Sequence, residues 1–166
     1  MRRKDRELTE EEALEIVRTS HHAVIATCDA SGTPYAVPVS PVWIDGALYF
    51  HSAADPAGRR ASNLAQNPRV SLCYIARCRS VYEAPETFTV NYASAVVAGR
   101  AERVENEAER RRAALALCAF QCPDALQESV ENAWAHSGDR ITVWKVIPEK
   151  ISGKARRPKT AAPAAK

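Results

Sequence analysis

Tyr35-Ala36-Val37-Pro38-Val39-Ser40-Pro41-Val42-Trp43-Ile44-Asp45-Gly46-Ala47-Leu48-Tyr49-Phe50-His51-Ser52 is the stretch on which the fold turns. Asp45-Gly46 between two apolar runs is the pairing a two-residue hairpin demands, because both turn positions need positive φ and Asp and Gly tolerate it. The run before it, residues 35–44, reads as a strand, and residues 47–52 as its return. Pro38 and Pro41 lie inside the first of these. Proline has no N–H to give a ladder, so one side of that strand is free, bulged or turned toward something else. A ligand edge can then take the place a neighbouring strand would fill.

Working outward toward the N-terminus, Ala23–Cys28 reads as a strand closed by the turn Asp29-Ala30-Ser31-Gly32. Before it, Thr9 with Glu12 three residues on is a capping box, with Leu8 and Ala13 as its staple. The box opens a helix over Glu10–Thr19 with Ala13, Leu14 and Val17 on one face. Toward the C-terminus, residues 58–67 suit a short helix stopped by Asn67-Pro68, and residues 70–75 are a fourth strand. Residues 77–90, with Pro85 among them, are expected to be irregular. Residues 92–104 form a fifth strand rich in small side chains (Ala93, Ser94, Ala95, Ala98, Gly99, Ala101), which permit close approach by a ligand or a partner. Asn106 with Glu109 is a second capping box and opens a helix to Phe120; residues 124–136 are a further helix, and residues 140–147 the last strand. Six antiparallel strands with outer helices predict an α+β, mainly antiparallel, barrel-like domain. It is expected to occupy residues 1–156, with 157–166 a disordered basic Ala/Pro tail.

A chain of 166 residues supports one such core and not a second of similar size. No apolar run reaches the ~18 residues of a membrane span. The charged start Met1-Arg2-Arg3-Lys4-Asp5-Arg6 leads into an amphipathic segment rather than a signal core, so no membrane contact and a cytoplasmic location are expected. The net charge of +3 is concentrated in the two ends, residues 2–6 and 150–166. No aromatic residue interleaves the basic tail as a stacking platform would require, which disfavours nucleic acid as a partner. The five cysteines, Cys28, Cys73, Cys78, Cys118 and Cys122, are odd in number and lack zinc-ligand spacing, so no metal site and no disulfide framework are expected. Cys28 and Cys73 fall in apolar strand patterns and read as small buried hydrophobes.

No phosphate-cradling glycine loop, HExxH or GxSxG is present, and no carboxylate pair suggests acid–base work, so a bound cofactor is the better source of reactivity. His51-Ser52-Ala53 ends a strand, and Gly58-Arg59-Arg60 begins a helix. A hydroxyl, two guanidinium groups and free helix amides together suit a phosphate; two solvated surface arginines and a hydrogen-bonded structural histidine are the alternative. Thr89-Val90-Asn91-Tyr92-Ala93-Ser94 places polar groups at the entry of an otherwise small, apolar strand, where ordinary capping is the alternative.

The order of these motifs resembles the pyridoxamine 5′-phosphate oxidase-like FMN-binding split barrels, and within them the nitroimidazole-resistance branch. The matching residues are Tyr35-Ala36-Val37-Pro38-Val39; Asp45-Gly46 with Leu48-Tyr49-Phe50-His51-Ser52-Ala53; Gly58-Arg59-Arg60; Asn63-Leu64 with Asn67-Pro68; Asn91-Tyr92 with Ser94; Gly99-Arg100-Ala101; and Ile151-Ser152-Gly153-Lys154. The resemblance implies a six-stranded split β-barrel that pairs as a homodimer, with FMN at the interface. It implies that Pro38, Val39 and Ser40 face the flavin ring, that Ser52, Arg59 and Arg60 hold its phosphate, and that Asn63 supports that loop. Asn91, Tyr92 and Ser94 would reach the same flavin from the other subunit, and His51 would face a small-molecule acceptor such as a nitroaromatic, with a tentative catalytic role. Related barrels accept a deazaflavin or haem instead, and a flavin binder or sensor without turnover is the rival to an oxidoreductase. The segment Ala54-Asp55-Pro56-Ala57 is longer than is usual in that branch, and Arg60 stands where lysine is common. The substrate-phosphate arginines of the vitamin B6 oxidases are not matched.

Overall fold

A computed structural model describes residues 3–84 and 87–158. In chain order the elements are β1 (Glu7–Leu8), α1 (Glu10–Thr19), β2 (Ala23–Cys28), β3 (Pro34–Val39), β4 (Val42–Ile44), β5 (Ala47–Ala53), α2 (Arg59–Gln66), β6 (Arg69–Glu83), β7 (Thr87–Arg103), α3 (Glu107–Gln121), α4 (Gln127–Ser137) and β8 (Ile141–Arg156). All strand pairs are antiparallel, in the order β3-β2-β6-β7-β8-β5-β4, with β1 added beside β8. The two ends of this path, β3 and β4, are consecutive in the chain. The sheet therefore curls until its edges meet at Ser40-Pro41, an open barrel with peripheral helices.

The expected hairpin is present: Asp45 and Gly46 take φ of 47° and 87°, and Val42 pairs with Tyr49 across them. Residues 35–44 are not one strand, however. Ser40-Pro41 breaks them into β3 and β4 because Pro41 can supply no ladder N–H and the chain must pass from one sheet edge to the other. Pro38 pairs with Val24 on the edge strand β3, where its missing N–H faces no neighbour.

Three further expectations need correction. Residues 77–83 and 87–90 are strand: β6 and β7 run on as a two-stranded arm with Tyr82 opposite Phe88. The arm carries no alternating apolar pattern because most of β6 beyond Ile75 is exposed on both faces. β8 extends to Arg156 rather than ending near Ile147. Pro148 stands opposite Gly99 at a register shift, where a Cβ on Gly99 would lie 2.3 Å from the Ile147 carbonyl oxygen. The bulge absorbs the proline and the ladder resumes. The last helix spans Gln127–Ser137 rather than 124–136.

The first capping box forms in full: Glu12 N–H donates to Thr9 Oγ1 and Thr9 N–H to Glu12 Oε2. Leu8 and Ala13 both pack over Gly153, where a Cβ would lie 2.9 Å and 2.8 Å from them. At Asn106 only half the box is made. Its Oδ1 accepts from Glu109 N–H, but the Glu109 carboxylate turns to Tyr49 Oη and Lys145 Nζ.

Alternation along the strands divides the molecule. Leu48 and Phe50 of β5 face the barrel interior with Ile25, Leu72, Tyr74, Val97 and Trp144; Ile16 and Val17 of α1 and Leu64 of α2 complete that core. Tyr49 and Ala47 face outward and form a second cluster with Ala113 and Leu117 of α3. The outer face of β2, β6 and β7 carries the row Val24–Cys73–Val96, with Val24 41% and Val96 39% exposed and Ile75 beside them at 66%. Cys73 is thus exposed rather than buried; its strand pattern read as core because both faces carry apolar side chains. Among the described residues, no helix is long and apolar enough to cross a membrane. Arg157 pairs with Glu12, and the rest of the expected tail, from residue 159 on, lies outside the described residues.

Candidate functional site

The curl of the sheet brings β3 and β5, far apart in strand order, to the two walls of one groove. Tyr35 and Val37 of β3, Ser52 and Ala53 of β5, Asp55 of the following loop, and Gly58, Arg59, Arg60 and Ala61 at the start of α2 line it, enclosing about 280 Å³. Each guanidinium lies on an aromatic face: Arg59 is 4.7 Å from the centroid of Tyr35, and Arg60 is 5.2 Å from that of Phe50. Among the described residues no carboxylate forms an ion pair with either arginine. Asp55 is the acid of this loop, and its Oδ1 accepts from Ala57 N–H. Burial holds the Arg60 pKa below its ordinary value. A partly desolvated cation without an ionic partner is costly, and a bound anion removes that cost.

The helix end adds to the same field. Gly58 is the N-cap of α2 and offers no side chain to the first-turn amides. Those N–H groups and the positive end of the helix dipole therefore face the groove beside the two arginines. Ser52 Oγ accepts from Trp144 Nε1 at 3.1 Å and donates to the Ala53 carbonyl at 3.2 Å, so its remaining capacity is one further acceptor site.

His51 lies on the opposite face of β5 from Ser52. It and Ser40 form part of the wall of a cavity of about 310 Å³ between the barrel and the helices α3 and α4. Ser40 Oγ is 3.1 Å from His22 Nδ1. His51 is exposed at the strand end, yet its ring is enclosed enough that desolvation first, and the Arg60 charge second, lower its pKa from the ordinary 6.5. Both causes favour the neutral ring, which has one nitrogen to donate and one to accept.

The remaining sequence candidates fall elsewhere. Asn63 is buried, and its Nδ2 donates to Thr27 Oγ1 at 3.0 Å, which in turn donates to the Tyr35 carbonyl at 3.3 Å. Asn63 thereby ties α2 through β2 to β3, setting the height of Arg59 above Tyr35 rather than lining the groove. Val39 is buried in the core and Pro38 sits on the outer sheet edge, so only their backbone and the Pro38 ring face outward. On β7, Asn91 Oδ1 accepts from Arg156 Nη1 at 2.5 Å, while Arg156 Nη2 reaches Glu83 at 2.8 Å. Ser94 Oγ donates to the Lys154 carbonyl at 3.4 Å and shares the outer face with Tyr92 and Val96. Within one chain, then, Ser52, Arg59 and Arg60 meet at one groove, Ser40 and His51 at another cavity, and Asn91, Tyr92 and Ser94 stand apart from both. Tyr35, Trp144 and Arg156 were not singled out by sequence reasoning. The period-two pattern Tyr35-Val37-Val39 was the one signal available for Tyr35; the other two are placed by strand pairing alone.

Known structures share this architecture. A protein of Bacteroides thetaiotaomicron provisionally named for 5-nitroimidazole antibiotic resistance superposes with a TM-score of 0.72 at 22% identity, covering 89% of this chain and 85% of that one. A FAD and haem binding protein of Mycobacterium smegmatis gives 0.70 at 20% identity, over 94% of this chain and 77% of that one. A FAD-binding protein of Mesorhizobium loti gives 0.60 at 20%, over 92% and 98%. A search of the curated proteins found no match. The family model for pyridoxamine 5′-phosphate oxidase matches residues 9–155, and the chain belongs to that family.

Proposed function

We propose that two copies of this chain pair through the outer face of β2, β6 and β7 and bind FMN, and that the pair is an oxidoreductase reducing a small planar acceptor of the nitroaromatic class. The observation that carries the reading is the groove at Ser52, Arg59 and Arg60, where two cations without ionic partners meet an uncapped helix start. The terminal phosphate of FMN supplies an ionic partner to the two guanidinium groups, with which the lining carboxylate of Asp55 forms no ion pair among the described residues. The family match and the flavin binding stated for two of the similar structures favour a flavin over another phosphate. FMN when bound supplies the redox chemistry. The chain's own residues anchor the phosphate, support the ring with the backbone of Pro38, Val39 and Ser40, and hold a neutral imidazole at His51 on the acceptor side.

Pairing is supported by the exposed row Val24–Cys73–Val96 and its small, half-buried neighbours Ala26, Ser71 and Ala98 on the outer face of the sheet. Tyr92 and Ser94 lie on that face, where pairing brings them toward the other copy's groove, while Asn91, on the opposite face of β7, reaches the interface only through its bond to Arg156. The test is a titration of the purified protein with FMN, alongside mass analysis of anything released on denaturation. Arg60→Ala removes charge-assisted hydrogen bonds worth roughly 1.5–3 kcal/mol, so affinity falls about 10- to 150-fold. An unchanged affinity rejects the phosphate site. FMN binding without turnover of a nitroaromatic by NADH or NADPH rejects the enzymatic half and leaves a flavin binder.

A further inference from the structure

The cavity beneath α3 and α4 has a chemistry unlike that of the arginine groove. Leu117 and Cys118 of α3, Val130 and Trp134 of α4, and Ile141 at the start of β8 form the large apolar part of its wall. Its polar side chains, among them Ser40, His51 and Gln121, carry no fixed charge; no Asp, Glu, Lys or Arg lines it. Trp134 forms one wall between two neighbours. The Arg110 guanidinium lies 5.5 Å over one face of the indole, and Gly138 sits against the ring so closely that a Cβ there would be 3.1 Å from it. An aromatic wall with neighbours already in place loses little entropy when a flat molecule packs against it. At about 310 Å³ the space suits one small molecule rather than a peptide or a helix.

We propose that this cavity is the binding site for an uncharged, planar, apolar molecule, packed against Trp134 with one polar group toward His51. The occupant is the acceptor of the flavin reaction, a statement that rests on the reading above, whereas the binding itself does not. Desolvation disfavours a charged occupant, since no charged residue is among those lining the wall and the guanidinium over Trp134, Arg110, already pairs with Asp139. The neutral ring of His51 donates to or accepts from a nitro or carbonyl oxygen without needing a counter-charge. Ser40 and His51 join this cavity to the side of the barrel where the flavin ring is proposed to lie.

Two probes of nearly equal shape test this: nitrobenzene and 4-nitrobenzoate, titrated into the protein while the Trp134 indole N–H resonance is followed by NMR. Nitrobenzene is expected to bind and to shift that resonance, with 4-nitrobenzoate at least about tenfold weaker. Ala133 lies exposed on the rim of the cavity, so Ala133→Phe fills the mouth without loading the core; it should abolish nitrobenzene binding and leave FMN affinity as it was. Ala133→Ser, with little added volume, should bind as the parent does. Equal affinity for the two probes, or undiminished nitrobenzene binding in Ala133→Phe, overturns the assignment. Absence of nitrobenzene binding by a protein that binds FMN overturns it and spares the flavin reading; nitrobenzene binding by a protein that ignores FMN does the reverse.

Discussion

Replacing Tyr74 by Phe should make the protein more stable. Tyr74 is fully buried in the barrel core, and its hydroxyl has no hydrogen-bond partner among the described residues. Leaving a buried hydroxyl unpaired costs roughly 1–3 kcal/mol. Phe keeps the ring and its packing, and the oxygen-sized void it leaves costs only about 0.3 kcal/mol at ~24 cal/mol per Å³. The net gain is on the order of 1–2.5 kcal/mol, which for a chain of this size raises Tm by about 2–10 °C. Calorimetry and urea unfolding at pH 7, on both proteins free of flavin and at equal concentration, measure it. Ligand and dimer linkage are then the same in both. A second signature comes from titration. Burial pushes the Tyr74 pKa far above its ordinary 10.0, so above that pH the unfolded chain releases a proton the folded one retains. Wild-type stability contributed by this group is therefore whole below pH 10 and declines as pH rises past it, and the advantage of Phe widens there. A Phe variant that is less stable by more than about 0.5 kcal/mol would show that the hydroxyl is satisfied, by enclosed water for instance, and the reasoning would fail.

Gly99→Ala forces a Cβ to 2.3 Å from the Ile147 carbonyl oxygen, a rigid backbone atom; a loss of about 2–3 kcal/mol is expected by urea unfolding, and an unchanged midpoint would mean the β7–β8 bulge shifts freely. Asn63→Ala breaks the buried link to Thr27 and should cost roughly 1–3 kcal/mol; FMN affinity measured well below the Tm should fall as well, because Tyr35 loses its tether. The Tyr49 and Lys145 hydrogen bonds hold the Glu109 carboxyl below its ordinary 4.5. The stability it contributes is complete above that pH and lost as pH falls through the lowered value, so Glu109→Gln should flatten the acid limb of a Tm-versus-pH profile. An acid limb as steep as that of the parent would remove Glu109 from the account.

Local chemistry in the chain was enough for much of the fold. Asp45-Gly46 named its hairpin because positive φ at two successive positions is a demand few residue pairs meet. Thr9 and Glu12 named the start of α1 because both halves of that box lie within four residues. Gly58-Arg59-Arg60 was legible as a cationic, uncapped helix start for the same reason: helix start, missing cap and cations are neighbours in sequence. Long-range pairing decided the rest. Nothing near residues 77–90 says strand, since the arm is held by β6 meeting β7 and not by a buried face. Pro148 argued locally for a strand end, and only Gly99, on another strand, makes room for it. Ser52 and His51 are adjacent in the chain yet serve different spaces, because successive side chains of a strand point to opposite faces. Sequence by itself determined which segments turn, cap and gather positive charge, all short-range matters of φ, hydrogen bonding and charge. The tertiary structure alone decided which faces those segments present and to what, because that depends on how a curled sheet brings β3 against β5 and lays α3 and α4 over His51.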